Sequence, residues 1–131
     1  MTGGPAPNYQ FTTDVSGQLT GGDGYVHATG GKLYFVNENI KPAGWGLLQI
    51  KNQQGPYDPV LLVLKGSFPA GLELWAQISG NVGEIHVCSG EQEVQLQVAG
   101  PIPQYGQVIV HLDNVLLGTT VMIDSIELYD M

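Results

Sequence analysis

The residues best equipped for chemistry lie in one short stretch, Leu72-Glu73-Leu74-Trp75-Ala76-Gln77-Ile78-Ser79. If this segment is extended, Leu72, Leu74, Ala76 and Ile78 fall on one face, and Glu73, Trp75, Gln77 and Ser79 on the other. A tryptophan then stands on a polar face between a carboxylate and an amide. The indole offers a flat, amphipathic surface, and a glutamine amide both donates and accepts hydrogen bonds. Such a set suits a ligand with an apolar face of C–H groups and a rim of hydroxyls, the surface of a pyranose ring. Glu93-Val94-Gln95-Leu96-Gln97-Val98 repeats the logic, with Glu93, Gln95 and Gln97 outward. Gln107 to Leu112 turns Ile109 and His111 outward, and Trp45 to Lys51 does the same with Gln49 and Lys51. The plainer explanation is as close at hand: outward Gln and Glu are ordinary solvated strand residues, a loop or Lys51 can cover a lone tryptophan, and His111 can belong to a cross-strand pair.

These residues need strands to hold them, and the rest of the chain reads that way. Helical period is nearly absent; alternation over five to nine residues, bounded by Gly, Pro, Asn and Asp, recurs instead. Strands are expected at Asn8–Thr13, Tyr25–Thr29, Lys32–Val36, Trp45–Asn52, Val60–Leu64, Leu72–Ser79, Glu84–Cys88, Glu93–Val98, Gln107–Leu112 and Thr120–Tyr129. Gly30-Gly31 fits a two-residue hairpin between the second and third of these, and Gly21-Gly22-Asp23-Gly24 reads as a turn. In the last strand Val121 and Ile123 share one parity and Ile126 and Leu128 the other, so the strand must slip by one residue near Asp124. Nine or ten short antiparallel strands bury their apolar faces most economically as two sheets packed face to face. The expected fold is an all-β, two-sheet antiparallel sandwich of jelly-roll topology, with an immunoglobulin-like sandwich as the alternative. Residues 1–7 read as a flexible Gly/Pro tail and residues 8–131 as a single domain, 131 residues being enough for one core and too few for two.

The charge balance excludes other partners. Twelve acidic residues face four basic ones, all lysines, for a formal charge of -8. Nucleic acid and anionic membrane surfaces are disfavoured, since both recruit Lys and Arg. No run of eighteen apolar residues marks a transmembrane helix, and no basic-then-apolar leader opens the sequence. The single cysteine, Cys88, reads as a free structural thiol. The histidines His27, His86 and His111 are scattered without the short spacing of a zinc site, so no transition metal is expected.

Two stretches carry a resemblance. Leu74-Trp75-Ala76-Gln77, after the Pro69-Ala70-Gly71 turn and before the strand Gly83-Glu84-Ile85-His86-Val87, is similar to the middle of the jelly-roll carbohydrate-binding modules attached to xylanases and endoglucanases. There a tryptophan in a Trp-Ala-polar setting stacks on the glycan. The ending, Ile109-Val110-His111-Leu112 and then Gly118 to Leu128, resembles the last two strands of those modules. The resemblance implies a non-catalytic, extracellular module, an accessory of a glycoside hydrolase. Its partner would be a polysaccharide or oligosaccharide of β-linked xylan or β-glucan type, bound by a monomer. It implies Trp75 as stacking platform, Gln77 as a polar contact and His111 at the same groove; Gln95, Gln97, Glu73 and Glu93 join them by alternation. It also implies a structural calcium held by hard oxygen ligands. Asp124 fits one ligand position, and Asp14 stands displaced from the other, because Thr12 occupies the place where a glutamate would follow phenylalanine.

Two rival readings remain. Glu73 and Glu93 could form a glycosidase pair across a cleft, but no spacing fixes their separation, and no Gly-x-Ser-x-Gly elbow or phosphate-binding glycine loop is present. A viral or cell-surface assembly domain would instead bury the Trp75 face in a protein–protein interface.

Overall fold

The computed structural model describes residues 2–5, 19–22, 25–29, 31–37, 43–52 and 56–131. Twelve strands form among them: β1 (Thr2–Pro5), β2 (Leu19–Gly22), β3 (Tyr25–Thr29), β4 (Lys32–Val36), β5 (Ala43–Lys51), β6 (Val60–Ser67), β7 (Glu73–Ile78), β8 (Asn81–Val82), β9 (His86–Val87), β10 (Glu93–Val98), β11 (Gln107–Leu116) and β12 (Thr120–Asp130). All the pairings are antiparallel. Sheet I runs β10-β6-β12-β4-β3, with β1 also on β12; sheet II runs β2-β5-β11-β7-β8, with β9 also on β7. This is the expected jelly-roll sandwich. No helix among the described residues is long and apolar enough to cross a membrane.

In β4, β7 and β10 the alternation read from sequence is the burial pattern. In β7 Leu74, Ala76 and Ile78 are buried and Glu73, Trp75 and Gln77 half-buried; β10 alternates exposed and buried along its length. The inward residues of both sheets form one core, which includes Phe35, Leu48, Leu62, Leu74, Val110 and Ile126. Apolar burial on this scale is the main force holding the sheets together.

Several boundaries differ from expectation. Thr2–Pro5, read as part of a flexible tail, is a strand whose backbone pairs with β12 from Thr2↔Asp130 to Pro5↔Glu127. A Gly/Pro-rich segment can still serve as an edge strand, where ladder bonds are needed on one side only. Gly21–Gly22 end β2 rather than making a turn, while the proposed strand at Asn8–Thr13 lies outside the described residues. Glu84–Cys88 contracts to the two residues of β9, because Glu84 and Ile85 cross the edge of the sandwich unpaired. The β3–β4 hairpin forms as expected, closing at Thr29↔Lys32. So does the slip in β12, whose register against β6 shifts between Ile123 and Ser125. Gly66 of β6 is required there, since a Cβ would run into the carbonyl oxygen of Met122.

Two buried asparagines tie loops to strands. Asn37, fully buried, donates from Nδ2 to the carbonyl of Val115 at 2.7 Å and anchors the β11–β12 turn beside β4. Asn52 donates to the carbonyl of Pro103 at 3.2 Å. Each satisfies a polar group that would otherwise be costly to bury.

Candidate functional site

Three neighbouring strands of sheet II bring the tryptophan face together. Cross-strand registers set Trp75 of β7 against His111 of β11, and His111 against Leu47 of β5. One row further along lie Gln77, Ile109 and Gln49; on the other side Glu73 pairs with Asp113. Trp75, Gln77, Glu73 and His111 thus share one outer face, as read from sequence.

Side-chain geometry on this face is closely specified. The Trp75 indole and His111 imidazole are stacked, their ring centroids 3.5 Å apart and their planes 3° from parallel. Trp75 Nε1–H donates to Asp113 Oδ2 at 2.6 Å. His111 Nε2 lies 3.1 Å from Gln77 Oε1, and since a carbonyl oxygen only accepts, the ring proton sits on Nε2. Gln77 Nε2 in turn donates to the carbonyl of Ser79 at 3.1 Å. Two chains of hydrogen bonds, running to Asp113 and to Ser79, therefore hold the stacked pair from both sides. The indole N–H is thus engaged within the protein rather than left for a ligand. Burial holds the His111 imidazole below its ordinary value, with Asp113 pulling weakly the other way.

A β-bulge aims Asp113. The β11–β5 register shifts between Leu112 and Val115, and Asn114 takes a left-handed φ of 58°, a region that Asn tolerates better than most residues. Its side chain donates to the carbonyl of Gly71 at 2.8 Å, closing the turn before β7. Across the bulge Trp45 of β5, 42% exposed, stands on the same outer face. Trp45 is a residue of this face that the sequence reading passed over, although alternation counted back from Gln49 through Leu47 reaches it.

Glu93, Gln95 and Gln97 are not part of this face. β10 pairs with β6 at the edge of sheet I, so these side chains point out from the opposite side of the sandwich. Alternation tells in from out, but long-range pairing decides which sheet a strand joins. Gln95 and Gln97 instead border a cleft of about 570 Å³ at the sandwich edge, shared with Val82, Glu84, Ile85 and His86. Next to the lining residue Val82, Asn81 donates to the carbonyls of Ala99 and Gly100 at 3.0 and 3.2 Å.

Of the two aspartates expected near a calcium, Asp14 lies outside the described residues, and Asp124 is exposed at the β12 bulge. Among the described residues the cluster with metal-ligand geometry is a different one, His86, Cys88 and Glu91. The spacing His-x-Cys-x-x-Glu was the overlooked signal; reading histidines alone missed it.

No protein-family model matches the chain, and no curated protein matches it. Among solved structures the chain is similar to family 29 carbohydrate-binding modules. One single-residue variant of such a module aligns at 13% identity and a TM-score of 0.56, over 97% of this chain and 91% of that one. A second variant, complexed with cellulohexaose, aligns at 12% identity and a TM-score of 0.54, over 96% and 89%. A third, complexed with mannohexaose, aligns at 11% identity and a TM-score of 0.51, over 97% and 92%. The likeness spans nearly the whole chain and is one of fold: the two-sheet jelly roll expected from sequence is the fold of these modules.

Proposed function

We propose that the protein binds carbohydrate without catalysis, through the outer face of sheet II, and takes a β-linked polysaccharide chain of the xylan or β-glucan type. The observation that carries this reading is the Trp75–His111 pair, two stacked rings wired into a half-exposed polar face. Preorganised aromatic groups cost little entropy on binding. Trp45 lies on the same face two strands away and two residues along β5 from Leu47, roughly 12 Å by strand spacing and rise, so a chain crossing the strands obliquely meets both indoles. Leu47 provides apolar floor between them and Ile109 extends it on the far side of Trp75, and Gln49, Gln77, Glu73 and Asp113 provide donors and acceptors for hydroxyls. The fold neighbours solved with cellulohexaose and mannohexaose agree with such a ligand class and add glucan and mannan chains to those worth testing. The same reading makes the protein a monomeric, extracellular accessory module of a glycoside hydrolase.

Affinity gel electrophoresis against xylan, xyloglucan, β-glucan and galactomannan, with wild type beside Trp75→Ala and a gel without polysaccharide, tests it. Retardation by at least one glycan, lost in the variant, is expected. Absence of retardation on every glycan, together with oligomers in sedimentation, would instead favour an assembly domain whose Trp75 face is a subunit interface.

A further inference from the structure

At the edge of sheet II, away from the Trp75 face, three side chains of different chemistry converge. His86 lies on β9, its Cα paired with Leu74 of β7. Cys88 follows, buried, with its N–H donating to the carbonyl of Leu72 at 2.7 Å and its carbonyl accepting from Gly71 at 2.9 Å. Gly90, at a φ of 94°, turns the chain, and Glu91 returns to accept at its carbonyl from the N–H of Phe68 at 3.1 Å. Backbone contacts with other parts of the fold thus position all three residues. Their Nε2, Sγ and carboxylate oxygen all lie within 4.8 Å of one another.

The carboxylate is the hub. Glu91 Oε1 accepts from the Ser89 N–H at 2.6 Å, which orients the group, and Oε2 accepts from His86 Nε2 at 3.1 Å. The Cys88 Sγ lies within 4.8 Å of the same carboxylate. The imidazole and the thiol both face this carboxylate, where a cation could take the place of their protons while the Ser89 N–H stays on Oε1. In a tetrahedral zinc site, ligand distances of about 2.0–2.3 Å put neighbouring donors roughly 3.5 Å apart, within the span seen here.

We infer that His86, Cys88 and Glu91 form a binding site for a borderline-soft divalent transition ion, zinc by its ligand set, with the fourth position open toward the cleft that His86 borders. An imidazole, a thiolate and a carboxylate together suit zinc and disfavour calcium or magnesium, which take oxygen ligands. Binding is an exchange of protons for the ion: the thiol proton leaves to solvent as the metal–sulfur bond forms, and the imidazole proton, on Nε2 in the bond to Glu91, passes through solvent to Nδ1 so that the Nε2 lone pair can bind the ion. No electron moves. The bound ion would brace the β9 turn against β7, two elements that already share the His86–Leu74 pairing. The site does not depend on the carbohydrate reading.

The test is a cobalt(II) titration of the untagged full chain at neutral pH with a phosphine reductant, followed by absorbance. One equivalent should bring up a sulfur-to-cobalt charge-transfer band and the visible bands of four-coordinate cobalt; zinc should remove both, and calcium in excess should not. His86→Gln and Glu91→Gln, at part-exposed positions, should keep the fold by circular dichroism and weaken zinc at least tenfold. Cys88→Ser should abolish the charge-transfer band. The inference is overturned if no sulfur band forms, if calcium competes equally, or if both His86→Gln and Glu91→Gln bind zinc as tightly as wild type. The part-exposed variants keep the test decisive even if Cys88→Ser fails to fold.

Discussion

On the outer face of sheet II the polar groups bond to one another around an indole; on the outer face of sheet I they flank an aliphatic floor. Leu61 and Val63 of β6 have the outward parity yet are only 8% and 7% exposed. Leu61 sits in register between Gln97 and Tyr129, and Val63 between Gln95 and Glu127. Farther along, Lys65 and Glu127 form an ion pair at 3.2 Å. Long amphipathic side chains commonly shield apolar surface while keeping their heads in water. On sheet II the glutamine is part of a wired array, with Gln77 accepting from His111 and donating to Ser79. An outward glutamine therefore carries little information by itself; its neighbours across the strands decide whether it covers a core or orients a ring.

The largest expected effect separates core from face along a single strand. Leu74→Ala removes a fully buried side chain and should cost about 2–5 kcal/mol of stability in urea unfolding. Next to it, Trp75→Ala should keep cooperative unfolding and lose at least about 2 kcal/mol of glycan binding, roughly thirtyfold, as expected of a central aromatic anchor. Unfolding of the Trp75 variant would make the ring a structural element and erase the contrast between the two faces.

A smaller effect tests sheet I. Replacing Gln95 and Gln97 together by alanine should leave glycan affinity unchanged and move stability by no more than about 0.5 kcal/mol. Loss of affinity in that double variant would shift recognition to the edge cleft and break the comparison.

The smallest effect is a pH slope. Burial depresses the His111 ring below its ordinary value of 6.5, so as pH falls through that value the unfolded chain takes up its proton first and the folded state loses stability. Above it the ring contributes no slope. The groups facing the ring are Trp75 and Gln77 from β7 and Asp113 on its own strand. Thermal melts from pH 8 to 5.5 should show a modest decline that disappears in His111→Phe. Glu91, held below the usual carboxylate range chiefly by the Ser89 N–H, adds a loss of the same sign only at more acidic pH.

Much of the fold was legible because alternation and turn chemistry are local. The β3–β4 hairpin, the slip at Asp124 and the outward parity of Trp75, Gln77 and His111 each rest on a few adjacent residues. The partition of those residues between sheets was not legible, because β10 is matched to β6 by pairing across some thirty residues. Strand pairing of this range is set by the whole core. The hydrogen bond from Trp75 to Asp113 was hidden for a related reason: it depends on a bulge at Asn114 that alternation does not announce.

The Val60–Leu64 half of β6 is buried on both faces and flanked by β10 and β12 along both edges. Its peptide groups are screened from water in every direction. In deuterium these amides should be among the last to exchange, reporting the free energy of global opening rather than of local fraying, so a ligand or metal that stabilises the whole molecule would slow them even though neither site touches the strand.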